Sequence, residues 1–138
     1  MRPTLVLVFL VACGGTPTPT GTVCADPDPG TLTYENFGKP FMEKYCTWCH
    51  AGDIPRSNRN GAPIYHDYDT LLGVLQTPDH IDEQAGSGPN ASNDFMPPSR
   101  CPSVAGGKTN KDCEQPTEEE RQQLSEWIAC ERYRPHTF

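Results

Sequence analysis

The chain has 138 residues, which suffices for one small domain, and its hydrophobic fraction is 35%. It contains 15 prolines and 12 glycines, so loops should be extensive and the core small. The formal net charge of −7 argues against nucleic acid or anionic lipid headgroups as ligands. The cysteine count of 7 predicts an oxidising compartment.

Met1–Ala12 is predicted to be an export signal, because Arg2 is followed by an apolar run too short to span a bilayer. The end of that run, Leu10-Val11-Ala12-Cys13, resembles the lipobox of bacterial lipoproteins. This resemblance implies cleavage before Cys13 and acylation of that cysteine, which would anchor the protein to a membrane. By the same analogy, Gly14 in place of Asp favours the outer membrane. The alternative is an ordinary cleaved signal in which Cys13 has no role.

Residues 13–30 are predicted to form a Thr/Pro-rich tether. The stretch Thr16-Pro17-Thr18-Pro19-Thr20-Gly21 has no periodic apolar pattern, and such a composition favours an extended spacer. Cys24 is the exception, since a purely flexible linker does not need a cysteine. The folded domain is expected to occupy residues 31–138.

A first helix is predicted before residue 46, because Phe37, Phe41 and Tyr45 recur every four residues. Pro40 leaves two alternatives, since proline inside a helix removes a hydrogen bond. The helix begins either near Pro40, as its first residue, or near Thr33 with a kink at the proline.

The next segment, Cys46-Thr47-Trp48-Cys49-His50, matches C-x-x-C-H, the attachment signature of a c-type haem. Residues three apart on a helical turn face the same way, so Cys46 and Cys49 can both reach the vinyl groups on one porphyrin edge. His50 can then give the iron a proximal imidazole. The sequence therefore predicts one covalently bound haem c.

Three other kinds of site share part of this pattern. A thioredoxin-like redox pair is expected beside a βαβ pattern, which the sequence lacks. A structural zinc site needs a second ligand pair at similar spacing, whereas Cys101 and Cys113 are 12 residues apart. A simple disulfide between Cys46 and Cys49 would leave His50 without a role.

A polar loop is predicted over residues 51–63. Arg56 or Arg59 in this loop could neutralise a haem propionate, although a solvated loop charge is the commoner explanation. A helix is then predicted over residues 67–76, with Asp67 or Asp69 as its cap. Thr77-Pro78 indicates the start of a further short helix over residues 79–85, and residues 86–93 are rich in turn formers.

Met96 is the predicted sixth ligand of the haem iron. The thioether of methionine suits haem iron, and Pro97-Pro98 would hold its loop in one conformation. Of the other methionines, Met1 belongs to the signal and Met42 lies too close to the haem motif on the same element. The alternative role for Met96 is ordinary packing, and the rival ligands are histidines that are more often surface residues: His66, His80 and His136.

The C-terminal segment is predicted to be a helix. Thr117-Glu118-Glu119-Glu120 has the pattern of a capping box, and an apolar stripe that includes Trp127 continues to about Arg132. Once the haem motif and Cys13 are set aside, the remaining cysteines allow three pairings. The pairings favoured here are Cys101–Cys113 and Cys24–Cys130.

Taken together, residues 31–133 resemble a class I cytochrome c domain. The resemblance rests on the helical stripe that leads into the haem motif, on Met96-Pro97 and on the capped last helix. It implies an all-α cytochrome c fold, with three to five short helices and long loops around one covalently bound haem. The first and last helices would then cross at Gly38, Phe41 and Trp127. Pro40, the extra cysteines and the long turn over 86–93 depart from the family pattern.

The resemblance implies an electron carrier whose haem cycles between Fe(II) and Fe(III) with His50 and Met96 as axial ligands. Such a protein needs no catalytic residues. We expect it to be a lipid-anchored monomer of the bacterial cell envelope that exchanges electrons with redox partner proteins. The alternatives are a haem sensor or small peroxidase with an open sixth site, and a disulfide-stapled binding lipoprotein without haem.

Overall fold

The structure, a computed structural model, describes residues 15–25, 31–99 and 113–138. Within these ranges the chain forms four α-helices, one π-helix, one 3₁₀ helix and an isolated bridge between Ser87 and Ser92, but no strand. The predicted all-α class is thus confirmed for this part of the chain. The predictions for the export signal, for Cys13 and for Cys101 fall outside the described residues.

The first helical element begins at Thr33. Its Oγ1 accepts a hydrogen bond from the Asn36 N–H (3.1 Å), and its own N–H donates to Asn36 Oδ1 (2.7 Å), which is a reciprocal cap. The π-helix Tyr34–Gly38 follows, and helix α1, Lys39–Tyr45, continues from it with Pro40 in its first turn. The α-helix itself thus begins next to Pro40, as the first alternative had it, and a π-helical turn extends the helical path back to Thr33.

The π-helix packs closely against the last helix, α4, which spans Glu118–Glu131. A Cβ at Gly38 would lie 2.3 Å from Cζ2 of Trp127, so this approach requires glycine. The rings of Phe37 and Trp127 meet edge to face at 6.1 Å. The expected contact between Gly38 and Trp127 is confirmed.

Two short helices lie between α1 and α4: α2, Leu71–Gln76, and α3, Pro78–Ala85. The start of α3 is as predicted. The predicted cap of α2 is wrong, because Thr70 Oγ1 accepts from the Gly73 N–H at 3.1 Å while Asp67 pairs with an arginine instead. The capping box at Thr117 is confirmed by its reciprocal bonds with Glu120, of 3.1 and 2.8 Å.

A single cluster of buried side chains joins these helices. Met42 and Trp127 are each 1% exposed within it, so Met42 serves packing. The cluster contains Phe41, Met42, Tyr45, Tyr68, Val74, Ile81, Ala85, Leu124, Trp127 and Ile128.

Residues 15–25 lie against α3 and α4. Thr20 is fully buried, and it donates to both carboxylate oxygens of Asp82, from its N–H (2.8 Å) and its Oγ1 (3.0 Å). Ser125 of α4 also donates to Asp82. This part of the predicted tether therefore belongs to the folded body. Thr20 packs by pairing with a buried carboxylate, and its Oγ1 also lies within hydrogen-bond distance of Thr18 and Thr22. The segment therefore has no apolar pattern that could reveal the contact.

Disulfides reinforce the helical body. Cys24 is bonded to Cys130 on α4, which confirms that predicted pairing. Cys113 is also disulfide-bonded, and its predicted partner, Cys101, lies outside the described residues.

Candidate functional site

The predicted ligands Cys46, Cys49, His50 and Met96 line one cleft. Its walls come from the turn after α1, the loop that begins at Arg59, helix α3 and the Met96-Pro97-Pro98 segment. The cleft has a volume of ≈ 220 Å³ and is open to solvent. The structure thus joins the haem motif to a methionine far along the chain.

The haem motif forms a helical turn that continues from α1. The Cys46 N–H donates to Met42 O at 2.8 Å, and Cys46 O accepts from the N–H groups of Cys49 (3.1 Å) and His50 (3.0 Å). Both thiols are unpaired and partly buried. The motif therefore has the local conformation that the sequence predicted, with both cysteines at the cleft.

Burial raises the pKa of the Cys46 thiol to about 12 and also raises the pKa of Cys49. In dithiol oxidoreductases the attacking cysteine has a lowered pKa, because its thiolate is stabilised. Both Cys46 and Cys49 are protonated at neutral pH, unlike the attacking cysteine of a dithiol oxidoreductase.

His50 is held from two directions. Its Nδ1 lies 3.1 Å from the carbonyl oxygen of His66, and its ring stacks on that of Tyr68 with 4.7 Å between the ring centroids. Because a carbonyl oxygen can only accept, this contact assigns the proton to Nδ1 and leaves the lone pair on Nε2. Burial lowers the pKa of His50 to about 4, so the imidazole is neutral. A histidine that binds iron through Nε2 needs this tautomer and this charge state.

Arg59 supports the same carbonyl oxygen. The side chain is 3% exposed, and its Nη2 donates to the carbonyl oxygens of His66 and Pro63, each at 2.8 Å. Its Nη1 donates to Ala51 O (3.1 Å) and pairs with Asp67 (2.5 Å). The solvated-charge interpretation is wrong for Arg59, whereas Arg56 is exposed and does not line the cleft.

Met96 is fixed through its backbone. Its N–H donates to Gln84 O at 2.9 Å, and its carbonyl oxygen accepts from Arg121 Nη1 at 2.9 Å. Gln115 Nε2 donates to the carbonyl oxygens of Pro97 (3.1 Å) and Pro98 (3.2 Å). The side chains of Arg121 and Gln115 therefore hold the loop together with the prolines.

Two of the three rival histidines also line the cleft. The rings of His66 and His80 lie 4.9 Å apart, and the His66 ring stacks beside His50 at 6.1 Å. His136 lies at the end of α4, where its Nε2 is 3.1 Å from Glu131 O, and it is not at the cleft.

The sequence prediction overlooked the supporting residues Tyr68, Arg121 and Gln115 as parts of the site. Arg121 had a detectable signal: it precedes Leu124 by three positions and Ile128 by seven, so it falls on the apolar face of α4. Tyr68 carried a weaker one, because it precedes Leu71, Leu72 and Leu75 at helical spacing. Gln115 had none, because its role depends on the path of a distant loop.

No group of three or more His, Cys, Asp or Glu side chains within the described ranges is arranged to hold a metal ion. No helix among the described residues has the length and apolarity to cross a membrane. Comparisons of the chain with protein-family models, with curated proteins and with solved structures found no match.

Proposed function

We propose that this protein is a c-type cytochrome whose single haem is bound covalently through Cys46 and Cys49, and that it transfers electrons. The observation that carries this proposal is the convergence of the haem motif and Met96 on one cleft. The motif determines where its own three residues lie, but it does not require a distant methionine to reach the same space.

The state of the cysteines supports covalent attachment. Cys46 and Cys49 are unpaired, whereas Cys24, Cys113 and Cys130 are disulfide-bonded. Two thioether bonds would use both thiols of the motif. A disulfide-stapled binding protein would instead be expected to join them as one more bridge.

The available donors suit haem iron. His50 would provide Nε2 and Met96 its thioether sulfur, a pair typical of cytochromes c. Haem bound here would supply an iron that changes between Fe(II) and Fe(III).

Arg59 is suited to a haem carboxylate. Its Nε is buried and has no hydrogen-bond partner within the described residues, and the side chain lines the cleft. A buried donor that lacks a partner is costly. A propionate would satisfy this nitrogen and balance the charge, which Asp67 only partly offsets.

Electron transfer is favoured over sensing or peroxidase chemistry because the Met96 backbone is fixed at both its N–H and its C=O. A preorganised sixth ligand leaves no open position for a gas or peroxide. In this proposal the all-α body is a cytochrome c fold. Cys13 anchors it to a bacterial envelope membrane, and its net charge of −7 suits a cationic surface on the redox partner.

The experiment is expression of the full chain in a bacterium that has c-type haem maturation machinery. We expect a mass increase of one haem, haem staining on a denaturing gel and a low-spin c-type spectrum. The double variant Cys46→Ser/Cys49→Ser should lose covalent haem, whereas the matched double variant Cys24→Ser/Cys130→Ser should keep it. Wild-type protein that lacks haem after such expression would refute the proposal.

A second measurement separates the carrier from an open-site protein. Carbon monoxide is added to the reduced protein at neutral pH, and the visible spectrum is recorded. If the sixth position of the iron is filled, the visible spectrum should not change rapidly when carbon monoxide is added. Rapid binding would instead favour the sensor or peroxidase alternative.

A further inference from the structure

The carbonyl oxygen of His66 joins two side chains at the cleft. It accepts from His50 Nδ1 at 3.1 Å and from Arg59 Nη2 at 2.8 Å. A carbonyl oxygen has two lone pairs, so both bonds can form together. A change in the charge or position of the Arg59 guanidinium therefore alters the hydrogen bond between the His66 carbonyl oxygen and the His50 imidazole.

We propose that the ion pair of Arg59 with Asp67 sets the reduction potential of this site, acting through the His66 carbonyl on His50. The inference rests on the proposed function, since it needs a one-electron centre ligated by His50. Arg59 is a positioning residue in this role, because it acts on the iron ligand through another group.

The first effect passes through the hydrogen bond. A ligating imidazole donates more strongly when its other N–H is more polarised by an acceptor. A carbonyl oxygen that already accepts a charge-assisted bond from Arg59 is a weaker acceptor for His50. The imidazole then stabilises the oxidised iron less, and the potential rises.

The second effect is the charge itself. Arg59 is 3% exposed, so its positive charge is poorly screened by water. When the site accepts one electron from a redox partner protein, its positive charge falls by one unit, and no bond is made or broken. A nearby cation favours the reduced state, which also raises the potential.

Asp67 opposes both effects. Its Oδ1 lies 2.5 Å from Arg59 Nη1, and its side chain is 34% exposed. The carboxylate offsets part of the guanidinium charge and weakens the polarisation of the His66 carbonyl. Loss of Arg59 should therefore lower the potential, whereas loss of the Asp67 charge should raise it.

The other contacts of Arg59 keep the geometry fixed. Its Nη1 donates to Ala51 O and its Nη2 to Pro63 O, at 3.1 and 2.8 Å. These bonds join the residue after the haem motif to the loop that leads to His66. The guanidinium is thus held where it can share the His66 carbonyl with His50.

The test is redox titration of the haem-loaded variants Arg59→Gln and Asp67→Asn. We expect the reduction potential to shift in opposite directions in the two variants. It should be lower than in the wild type for Arg59→Gln and higher for Asp67→Asn. Each one-electron equilibrium constant should change about threefold to tenfold, which equals about 30 to 60 mV. The NMR shift of the His50 Nδ1 proton should move in opposite directions in the two variants.

Matched controls separate this role from a general charge effect. Arg56→Gln and Asp53→Asn change the same charges at exposed positions near the same loop, so their shifts should be clearly smaller. Arg59→Lys keeps the charge but loses the forked donor, and it should give an intermediate potential. A merely structural Arg59 would not produce opposite shifts in the two partners.

Shifts of equal sign, or shifts no larger than those of the exposed controls, would overturn the inference. If Arg59→Gln does not fold, an unchanged potential in Asp67→Asn overturns it, and a raised potential supports it. If the wild-type protein carries no covalent haem, both the proposed function and this inference are refuted. If the protein carries haem but the substitutions at Arg59 and Asp67 leave its reduction potential unchanged, only this inference is refuted.

Discussion

Arg121 Nη1 donates a hydrogen bond of 2.9 Å to the carbonyl oxygen of Met96. The same nitrogen lies 2.9 Å from Ala85 O and 2.8 Å from Asn93 O. The guanidinium, 4% exposed, therefore ties helix α4 to the end of α3 and to the loop that carries the proposed sulfur ligand. Burial lowers the pKa of Arg121 below its ordinary value, but an arginine remains charged at neutral pH.

We predict that Arg121→Gln loosens the Met96 loop. Glutamine cannot reach all these carbonyl oxygens, and each buried acceptor left without a donor costs about 1–3 kcal/mol. The free energy of unfolding should fall by about 3 kcal/mol in urea denaturation. The charge-transfer band that a Met96–iron bond would give at the red end of the visible spectrum should weaken. Gln122→Ala, on the exposed face of α4, should change neither quantity. An intact band in Arg121→Gln would contradict the assigned role.

We predict that Met96→Ala keeps covalent haem but loses the sulfur ligand. In the proposed cytochrome, attachment would depend on Cys46 and Cys49, whereas the sixth position would depend on the thioether. The visible spectrum should become high-spin or ligand-exchangeable, and the reduced protein should bind carbon monoxide. Met42→Leu is the matched control, because Met42 is buried in the core and does not line the cleft. An unchanged spectrum in Met96→Ala would remove this residue from the ligand set.

The features that could be read from the sequence are local. The capping box at Thr117 needs only Glu120, three residues on, and the start of α3 needs only Thr77-Pro78. The turn of the haem motif is set by bonds between residues at most five apart. Short-range patterns of this kind constrain the backbone whatever the rest of the chain does.

The features that could not be read depend on long-range burial. Thr20 meets Asp82 across 62 positions, so a Thr/Pro-rich stretch that resembles a spacer becomes part of the body. The role of Arg59 could not be predicted from the sequence, because only the path of its own loop reveals that several carbonyl oxygens surround it. At α2 several side chains could cap the helix. Asp67 does not cap it, because its carboxylate forms an ion pair with Arg59.

We predict that loss of the Cys24–Cys130 disulfide destabilises the protein without removing haem. The bond joins residues 106 apart, and in the chain-entropy view a loop of about 100 residues contributes as much as about 4.7 kcal/mol. Replacing both cysteines by serine should lower the free energy of unfolding by about 2–5 kcal/mol. Chemical denaturation measures this loss, and limited proteolysis should cut residues 15–25 more rapidly. Equal stability of the variant and the wild type would show that the hydrogen bonds of Thr20 suffice.

We predict that Gly38→Ala destabilises the contact between the π-helix and α4. The added Cβ would lie 2.3 Å from Trp127 Cζ2, and Trp127 is 1% exposed, with its Nε1 bonded to Glu131 Oε2 at 2.9 Å. The indole is buried and held by this hydrogen bond, so the added Cβ should force the helices apart, at a cost of about 1–3 kcal/mol.

Gly52→Ala is the matched control for this prediction, because its added Cβ would have its nearest neighbour at 3.8 Å, an ordinary van der Waals distance. Urea denaturation with tryptophan fluorescence measures both variants. Gly38→Ala should lower the midpoint and alter the fluorescence of the native state, since Trp127 is displaced. If Gly38→Ala is no less stable than Gly52→Ala, the close approach of the first and last helices does not limit the packing of this fold.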